Sequence, residues 1–438
     1  MAILSKDEVR QILEKVIGYS KADAIEANLN GNIGGNIRYA RNTVSTAGAE
    51  SNTSLVVQSS FGKKVGTATI NEFDEDSLKK VVARAEELAR LSPENPEFME
   101  PLGPQTYLES KSFFDSTRNI SPEYRAEVAA KSINPAKAKD VTAAGFLQDS
   151  AGFSAMMNSK GLFAYNQSSS VDFTVTMRSN DGTGSGWVTR DFNDVDRFDA
   201  EAASMVALNK ATMSKNPKAL EPGKYTVILE PAAAHDLLQN MIGNMDARSA
   251  DEGRSFLSKQ GGGTKVGEKL FDERVTIFSD PTNDQVPSAP WGQDGLPVKK
   301  TMWVENGVVK NMFYSRYWAE KNGVEPMPFP SNGIMIGGDK SLEDLIKGTE
   351  KGILVTRLWY IRSVDPQTLL YTGLTRDGTF YIENGEIKFP VKNFRFNESP
   401  VIMLNNLEEL GEQQRVNGSL IPAMKIRDFT FTSLSDAI

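Results

Sequence analysis

Asn216-Pro217, followed by Glu221-Pro222-Gly223, is the sharpest interruption in the periodicity of this sequence. Each proline removes a backbone donor and fixes φ, so neither a helix nor a ladder-paired strand runs through the segment. The chain has 438 residues, more than one hydrophobic core normally organises. The break therefore predicts an N-terminal domain over residues 1–215 and a C-terminal domain over 216–438.

The two halves differ in pattern. In the first, Ser5-Lys6-Asp7-Glu8 is a capping box, and Val9, Ile12, Leu13, Val16 and Ile17 follow at helical spacing. Leu55-Val56-Val57 and residues 65–70 flank Phe61-Gly62-Lys63-Lys64 as a hairpin. Residues 74–91 return to a helical period, and four prolines between Pro93 and Pro104 mark a loop near 93–110. A second unit repeats helix then strands, with helices predicted over 122–132 and 199–213 and strands over 141–148, 162–165 and 171–177. The second half opens with a strand, Tyr225-Thr226-Val227-Ile228-Leu229, and a helix over 231–245 begun by Pro231. Short strands and turns are expected after it. Trp303 to Lys310 and Tyr381 to Lys388 each place Asn-Gly between apolar runs, the signal of a type I′ hairpin. The fold class expected is α+β: mixed α/β units first, then mainly antiparallel β with an embedded helix.

Composition removes most catalytic machinery. The chain has one histidine, His235, and no cysteine. A Ser-His-Asp triad has only His235 to build on, and a thiol nucleophile is excluded. Zinc would have one imidazole plus carboxylates, against the usual several N or S ligands. The net charge of −8, with no basic block, argues against direct nucleic-acid binding. The first residues lack the basic flank and apolar run of a signal peptide, and no stretch approaches the roughly 18–20 apolar residues of a membrane helix. We expect a cytoplasmic chain with no membrane association.

Four segments invite chemistry. The helix after Pro231 sets Ala234, Leu237, Leu238, Met241, Ile242 and Met245 on one face, with His235 at its edge. His235, Asp236 and Asn240 read as H-E-x-x-x-H with the acid shortened and the second imidazole replaced. Gln260-Gly261-Gly262-Gly263-Thr264-Lys265 lacks the Walker order and reads as a surface loop, and residues 180–186 read as a turn. Arg357, Arg362, Arg376 and Asp377 alternate with aromatic residues. Their pairs are either structural or hold a peptide or carboxylate.

Val364-Asp365-Pro366, Gly373, the run from Tyr381 to Ile387 and Pro390-Val391 resemble the closing block of the TldD/PmbA family. Gly253-Arg254-Ser255-Phe256-Leu257, Gly267-Glu268 and Asp280-Pro281 resemble the segment after that family's active-site helix. The likeness runs through most of residues 222–400. It implies a two-domain α+β protein related to zinc metallopeptidases that act on small or unfolded peptides, some of them labelled modulators of DNA gyrase. TldD-type members carry H-E-x-x-x-H and a downstream cysteine; PmbA-type (TldE) members lack these ligands and pair with a TldD-type chain. By this resemblance the chain is a PmbA/TldE-like subunit of a peptidase assembly. It would hold no cofactor or metal itself, with zinc in a TldD-like partner, and would work in a hetero-assembly or homodimer. Two rivals stand beside it: a metallopeptidase in its own right using His235 with Asp236 or Asp280, and a stand-alone peptide binder using Arg357, Arg362 and Arg376.

Overall fold

The computed structural model describes residues 3–435. Helix α1 (Lys6–Tyr19) starts on the Ser5 capping box, where Ser5 Oγ and Glu8 satisfy each other's backbone donors. It leads into three strands, β1 (Ala24–Ala40), β2 (Thr43–Phe61) and β3 (Lys64–Ile70), and then α2 (Glu75–Leu91), capped by Asp74. After the proline loop come α3 (Asp115–Arg118), α4 (Pro122–Ala138), β4 (Val141–Asn158), β5 (Phe163–Ser179), β6 (Ser185–Phe192) and α5 (Ala200–Met213). The six strands form one antiparallel sheet in the order β3-β2-β1-β4-β5-β6.

Strand alternation divides this sheet cleanly. Ala27, Leu29, Ile37 and Tyr39 of β1 face α1, α2, α4 and α5 and share two apolar cores with them. The intervening residues, Glu26, Asn28, Asn30, Asn32, Gly34, Asn36 and Arg38, form the opposite, polar face. Ser54, Asn52, Ser150, Ser154, Ser168 and Ser170 extend that face into a shallow neutral trough of about 360 Å³. Two strands were foreseen in place of the single β5, because Gln167-Ser168-Ser169-Ser170 interrupts the apolar pattern without interrupting the ladder with β4. One stretch has no cover. β3 pairs with β2 only along Leu55–Phe61, so the exposed earlier part of β2, from Thr43, is the outermost strand there.

In the second half, β7 (Gly223–Leu229) and α6 (Pro231–Gly243) match the expected strand and helix. Then follow α7 (Ala247–Asp251), β8 (Ile277–Ser279), β9 (Thr301–Glu305), β10 (Val308–Val309), α8 (Arg316–Asn322), β11 (Ile334–Met335) and α9 (Leu342–Lys347). The closing block is β12 (Lys351–Asp365), β13 (Leu370–Glu383), β14 (Glu386–Pro390), β15 (Phe394–Glu398), α10 (Pro400–Asn405), β16 (Leu407–Val416) and β17 (Ser419–Leu434). Three of these strands are long, where short ones were expected. They form an eleven-stranded sheet in which β7, β12, β13, β15 and β17 close into a ring, because β17 pairs back onto β7. Pairing is antiparallel except for β7 with β12 and β11 with β17. The molecule is therefore α+β. The largest core lies where α6 packs Leu237, Leu238, Met241 and Ile242 among Phe394, Phe396, Phe429 and Phe431.

Both expected Asn-Gly hairpins form, with Asn306, Gly307, Asn384 and Gly385 all at positive φ. A third, Asn417-Gly418, joins β16 to β17 and was not foreseen. The three glycines differ in surroundings. A Cβ on Gly418 meets nothing within 4 Å, whereas one on Gly307 would lie 2.2 Å from the Phe271 carbonyl oxygen. Gly418→Ala is expected to lose only the left-handed penalty, about 1–2 kcal/mol. Gly307→Ala adds a backbone clash and should lower the melting temperature several times further. Equal shifts for the two variants in calorimetry would refute this.

Candidate functional site at the junction of the two sheets

β7 delivers the chain to Glu230, and Pro231 opens α6 where a missing N–H costs nothing. The three residues of the expected motif do not converge. His235 is only 5% exposed, and neither ring nitrogen has a hydrogen-bond partner. Its Nδ1 lies 3.6 Å from Asp236 Oδ1. Asn240 turns its amide back on the helix, donating to the Asp236 carbonyl at 2.7 Å. Asp280 accepts from Thr282 within its own turn and faces Lys300. No group of three or more His, Cys, Asp or Glu side chains suited to a metal occurs among the described residues. One imidazole beside one carboxylate does not fit the N/S-rich donor set of a zinc centre.

The polar chemistry gathers instead between the two sheets, around the start of α6. Glu230 pairs with Lys210 of α5 at 2.6 Å and accepts from Thr356 Oγ1 at 3.2 Å. Asp377, 2% exposed, accepts from Ser185 Oγ of β6 at 2.6 Å and pairs with Arg357 at 3.0 Å. The Arg357 guanidinium lies 4.3 Å from the Trp187 ring centre and 4.5 Å from that of Trp359, so one side chain from each half flanks it. Burial pushes Arg357 below its usual pKa; the carboxylates of Asp377 and Asp236 pull it back and Arg376 opposes them. A second link joins Asp191 of β6 to Arg415 at 2.9 Å and to the Gly418 N–H at 2.8 Å.

Of the four residues expected to bind peptide, the structure brings three together. Arg357 and Arg376 are cross-strand neighbours on β12 and β13, and Arg376 lies 5.1 Å from the Trp359 ring centre, next to Asp377. Arg362 stands apart, exposed and stacked on Tyr360. β12 meets β7 only at Ile353–Val355, so beyond that point its edge away from β13 has no strand partner among the described residues; Trp359, which pairs with Leu374 of β13, and Tyr360 lie on this stretch. Beside Asp377 opens a cavity of about 430 Å³, lined by Thr183, Ser185, Ser214, Asn216, Thr379 and Asn393 among others. These lining residues come from both sides of the Asn216-Pro217 break; Thr183, Ser185 and Asn216 lie in segments the sequence marks as turn and break, and nothing there marks them as lining a cavity. Asp377-Gly378 did carry a mark. Its positive φ values, 55° and 122°, make a kink that aims the Asp377 carboxylate at both sheets.

Two other segments are structural. Lys265 donates to the Phe256 carbonyl, which closes the glycine loop on itself. Asp181 is held down to about 2 by the Ser179 hydroxyl and by Thr183, within a turn. Among the described residues no helix is long and apolar enough to cross a membrane.

Family models now give this geometry relatives. The PmbA/TldA metallopeptidase domain 1 matches residues 26–89, the central domain 115–212 and the C-terminal domain 222–433. The chain belongs to the PmbA/TldA metallopeptidase family. This PmbA/TldA chain is 26% identical over 371 residues to an uncharacterized protein of Methanocaldococcus jannaschii, covering 80% of this chain and 83% of that one. It is 27% identical over 289 residues to a metalloprotease of Methanothermobacter thermautotrophicus, covering 60% and 61%. The fold is that of TldE from Thermococcus kodakarensis, with a TM-score of 0.88 at 20% identity, covering 96% of this chain and all of that one. The structure of a protein described as a putative modulator of a DNA gyrase from Thermotoga maritima superposes with a TM-score of 0.87 at 18% identity, covering 97% and 100%.

Proposed function

We propose that this chain is the non-catalytic, PmbA/TldE-like subunit of a cytoplasmic metallopeptidase assembly that processes small or unfolded peptides. It consists of two domains, residues 1–215 and 216–438, and pairs with an H-E-x-x-x-H-bearing chain that holds the zinc. The observation that carries the reading is the state of α6. By the resemblance α6 corresponds to the family's active-site helix, and its sole imidazole is buried while Asn240 is committed to the backbone. Relatives named metalloproteases and a structural neighbour named TldE support the same reading. Peptide would lie along the open edge of β12, taking backbone hydrogen bonds from the strand and apolar contact from Trp359, with Arg357 and Arg376 beside a carboxylate.

The test is reconstitution. An assembly made with an H-E-x-x-x-H partner should lose most of its peptidase activity when this chain is omitted, and this chain alone should carry far less than one zinc. Undiminished activity without it would sink the proposal. A second reading rests on the buried His235 ring with both nitrogens unpartnered. If this chain is itself a zinc metallopeptidase, elemental analysis should find near-stoichiometric zinc that disappears in His235→Ala.

A further inference from the structure

Six Asn-Gly pairs occur in the sequence, and they differ in what holds the glycine N–H. Asn30-Gly31 lies inside β1, paired by β2 on one side and β4 on the other. Gly307 donates to the Val275 carbonyl at 2.9 Å, Gly385 to that of Thr349 at 2.9 Å and Gly323 to that of Glu320 at 3.1 Å. Gly333 donates to the Ser419 hydroxyl at 3.2 Å, and Asn332 before it is buried. Among the described residues, Gly418 alone of these donates to a carboxylate, Asp191 Oδ2 at 2.8 Å. That oxygen also takes Arg415 Nε at 2.9 Å, while Asp191 Oδ1 is buried without a hydrogen-bond partner. The turn is open as well. Asn417 is exposed, and a Cβ on Gly418 meets nothing within 4 Å. Cβ atoms on Gly307 and Gly385 would lie 2.2 Å and 2.7 Å from the Phe271 and Lys347 carbonyl oxygens. Gly323 is as open as Gly418, but the Asn322 amide is tied to the Trp318 carbonyl at 2.7 Å.

We propose that Asn417 is a self-modifying site, converted to aspartate and isoaspartate with Asp191 as the base. The Gly418 nitrogen attacks the side-chain carbonyl carbon of Asn417 and gives its proton to Asp191. The carbon–nitrogen bond of the side-chain amide breaks, and the amide nitrogen leaves as ammonia, taking that proton. Water then opens the cyclic imide at either of its carbonyls. One opening gives aspartate, the other isoaspartate, in which the main chain runs through the former side chain. A carboxylate accepts a proton far better than a backbone carbonyl, and a positioned base contributes about 10²–10⁴-fold in rate. Glycine has no side chain to hinder the attack, and the open turn leaves room for its nitrogen to approach within about 3–3.5 Å. The product has a structural effect. Either acid sets a second carboxylate beside the N–H that Asp191 holds, and isoaspartate lengthens the turn by a backbone carbon. Like charges there weaken the Asp191–Arg415 pair, one of the ties between the two halves. The chemistry uses no residue of the β12 edge and is independent of the peptidase reading.

Ageing the full chain at neutral pH, with peptide mapping by mass spectrometry, follows each asparagine separately. Asn417 should convert about tenfold or more faster than Asn306 and Asn384, the asparagines of the other two hairpins. Asp191→Asn should slow conversion at Asn417 by about tenfold or more, although it loosens the turn. Arg415→Gln loosens the turn but keeps the carboxylate, and should not slow it. Equal rates at the three hairpins of the parent chain would overturn the assignment. So would an Asp191→Asn chain that converts as fast as the parent, or an Arg415→Gln chain slowed to the same degree as Asp191→Asn.

Discussion

Asp149→Ala is expected to destabilise the first sheet by about 3–5 kcal/mol, the cost of stranding a buried charge. Asp149 lies on β4 and receives two bonds from Arg125 of α4, Nε to Oδ1 at 2.6 Å and Nη2 to Oδ2 at 2.8 Å. The two side chains are 9% and 4% exposed. The guanidinium rests over Gly35, where a Cβ would lie 2.3 Å from its central carbon, so glycine makes the space the ion pair needs. Without Asp149 the guanidinium retains, among the described residues, the Ile120 carbonyl at 3.3 Å as an acceptor. The double variant Arg125→Met, Asp149→Leu should recover most of the loss, because it removes both desolvated charges and keeps their volume. Urea titration with hydrogen exchange read on β1 and β4 would measure both variants. A single variant within about 1 kcal/mol of the parent would mean that water reaches the pair.

The second large effect is expected at Asp377, and it should read out as lost coupling between halves. Asp377→Ala removes the acceptor for Ser185 and the partner of Arg357 together. It also puts alanine at a φ of 55°, which disfavours any residue but glycine, asparagine or aspartate. The cost should approach that of breaking a buried pair, about 3–5 kcal/mol. Asp377→Asn separates the causes: it tolerates the backbone and keeps a hydrogen bond, and should cost about 1.5–3 kcal/mol for the lost charge. In calorimetry the alanine variant should split a joint transition into two, the second sheet melting first. Peptide affinity at the β12 edge should fall with it, since Arg357 loses its anchor between Trp187 and Trp359. An unsplit transition at the parent temperature would show that the Asp191–Arg415 and Lys210–Glu230 links hold the halves unaided.

How far the sequence disclosed this molecule depends on the element. The Ser5 capping box, the Asp74 cap and the two recognised Asn-Gly turns are local devices, and local sequence sufficed to place them. β1 escaped notice because Asn28, Asn30, Asn32, Gly34 and Gly35 have poor strand propensity, and its neighbours on both sides supply what propensity does not. The end of β16 was likewise hidden until its Asn417-Gly418 turn could be paired with β17. At the junction, the Arg–aromatic alternation of β12 and β13 pointed to Arg357 and Arg376. It could not announce Trp187 or Ser185, which reach Arg357 and Asp377 from the other half of the chain through tertiary packing alone, nor Lys210, which pairs with Glu230 across the domain break. Arg362 shared the pattern but lies beyond the bulged part of β12, and the irregularity carries it off the site.

The strand ring has a consequence in time. β17 is the last strand of the ring and pairs with the first, Met424 opposite Leu229, with nearly the whole second half between them. During synthesis the earlier sheet, whose partners all precede residue 193, can form while its successor is still incomplete. The later half must keep the aromatic surface of Phe394 and Phe396 waiting for Phe431 and Phe429, the rings it packs against in the closed ring. Its rate-limiting event should therefore be this closure across a long loop, because distant pairing is slow to form. A nascent chain halted before residue 419 would expose that surface to any chaperone within reach.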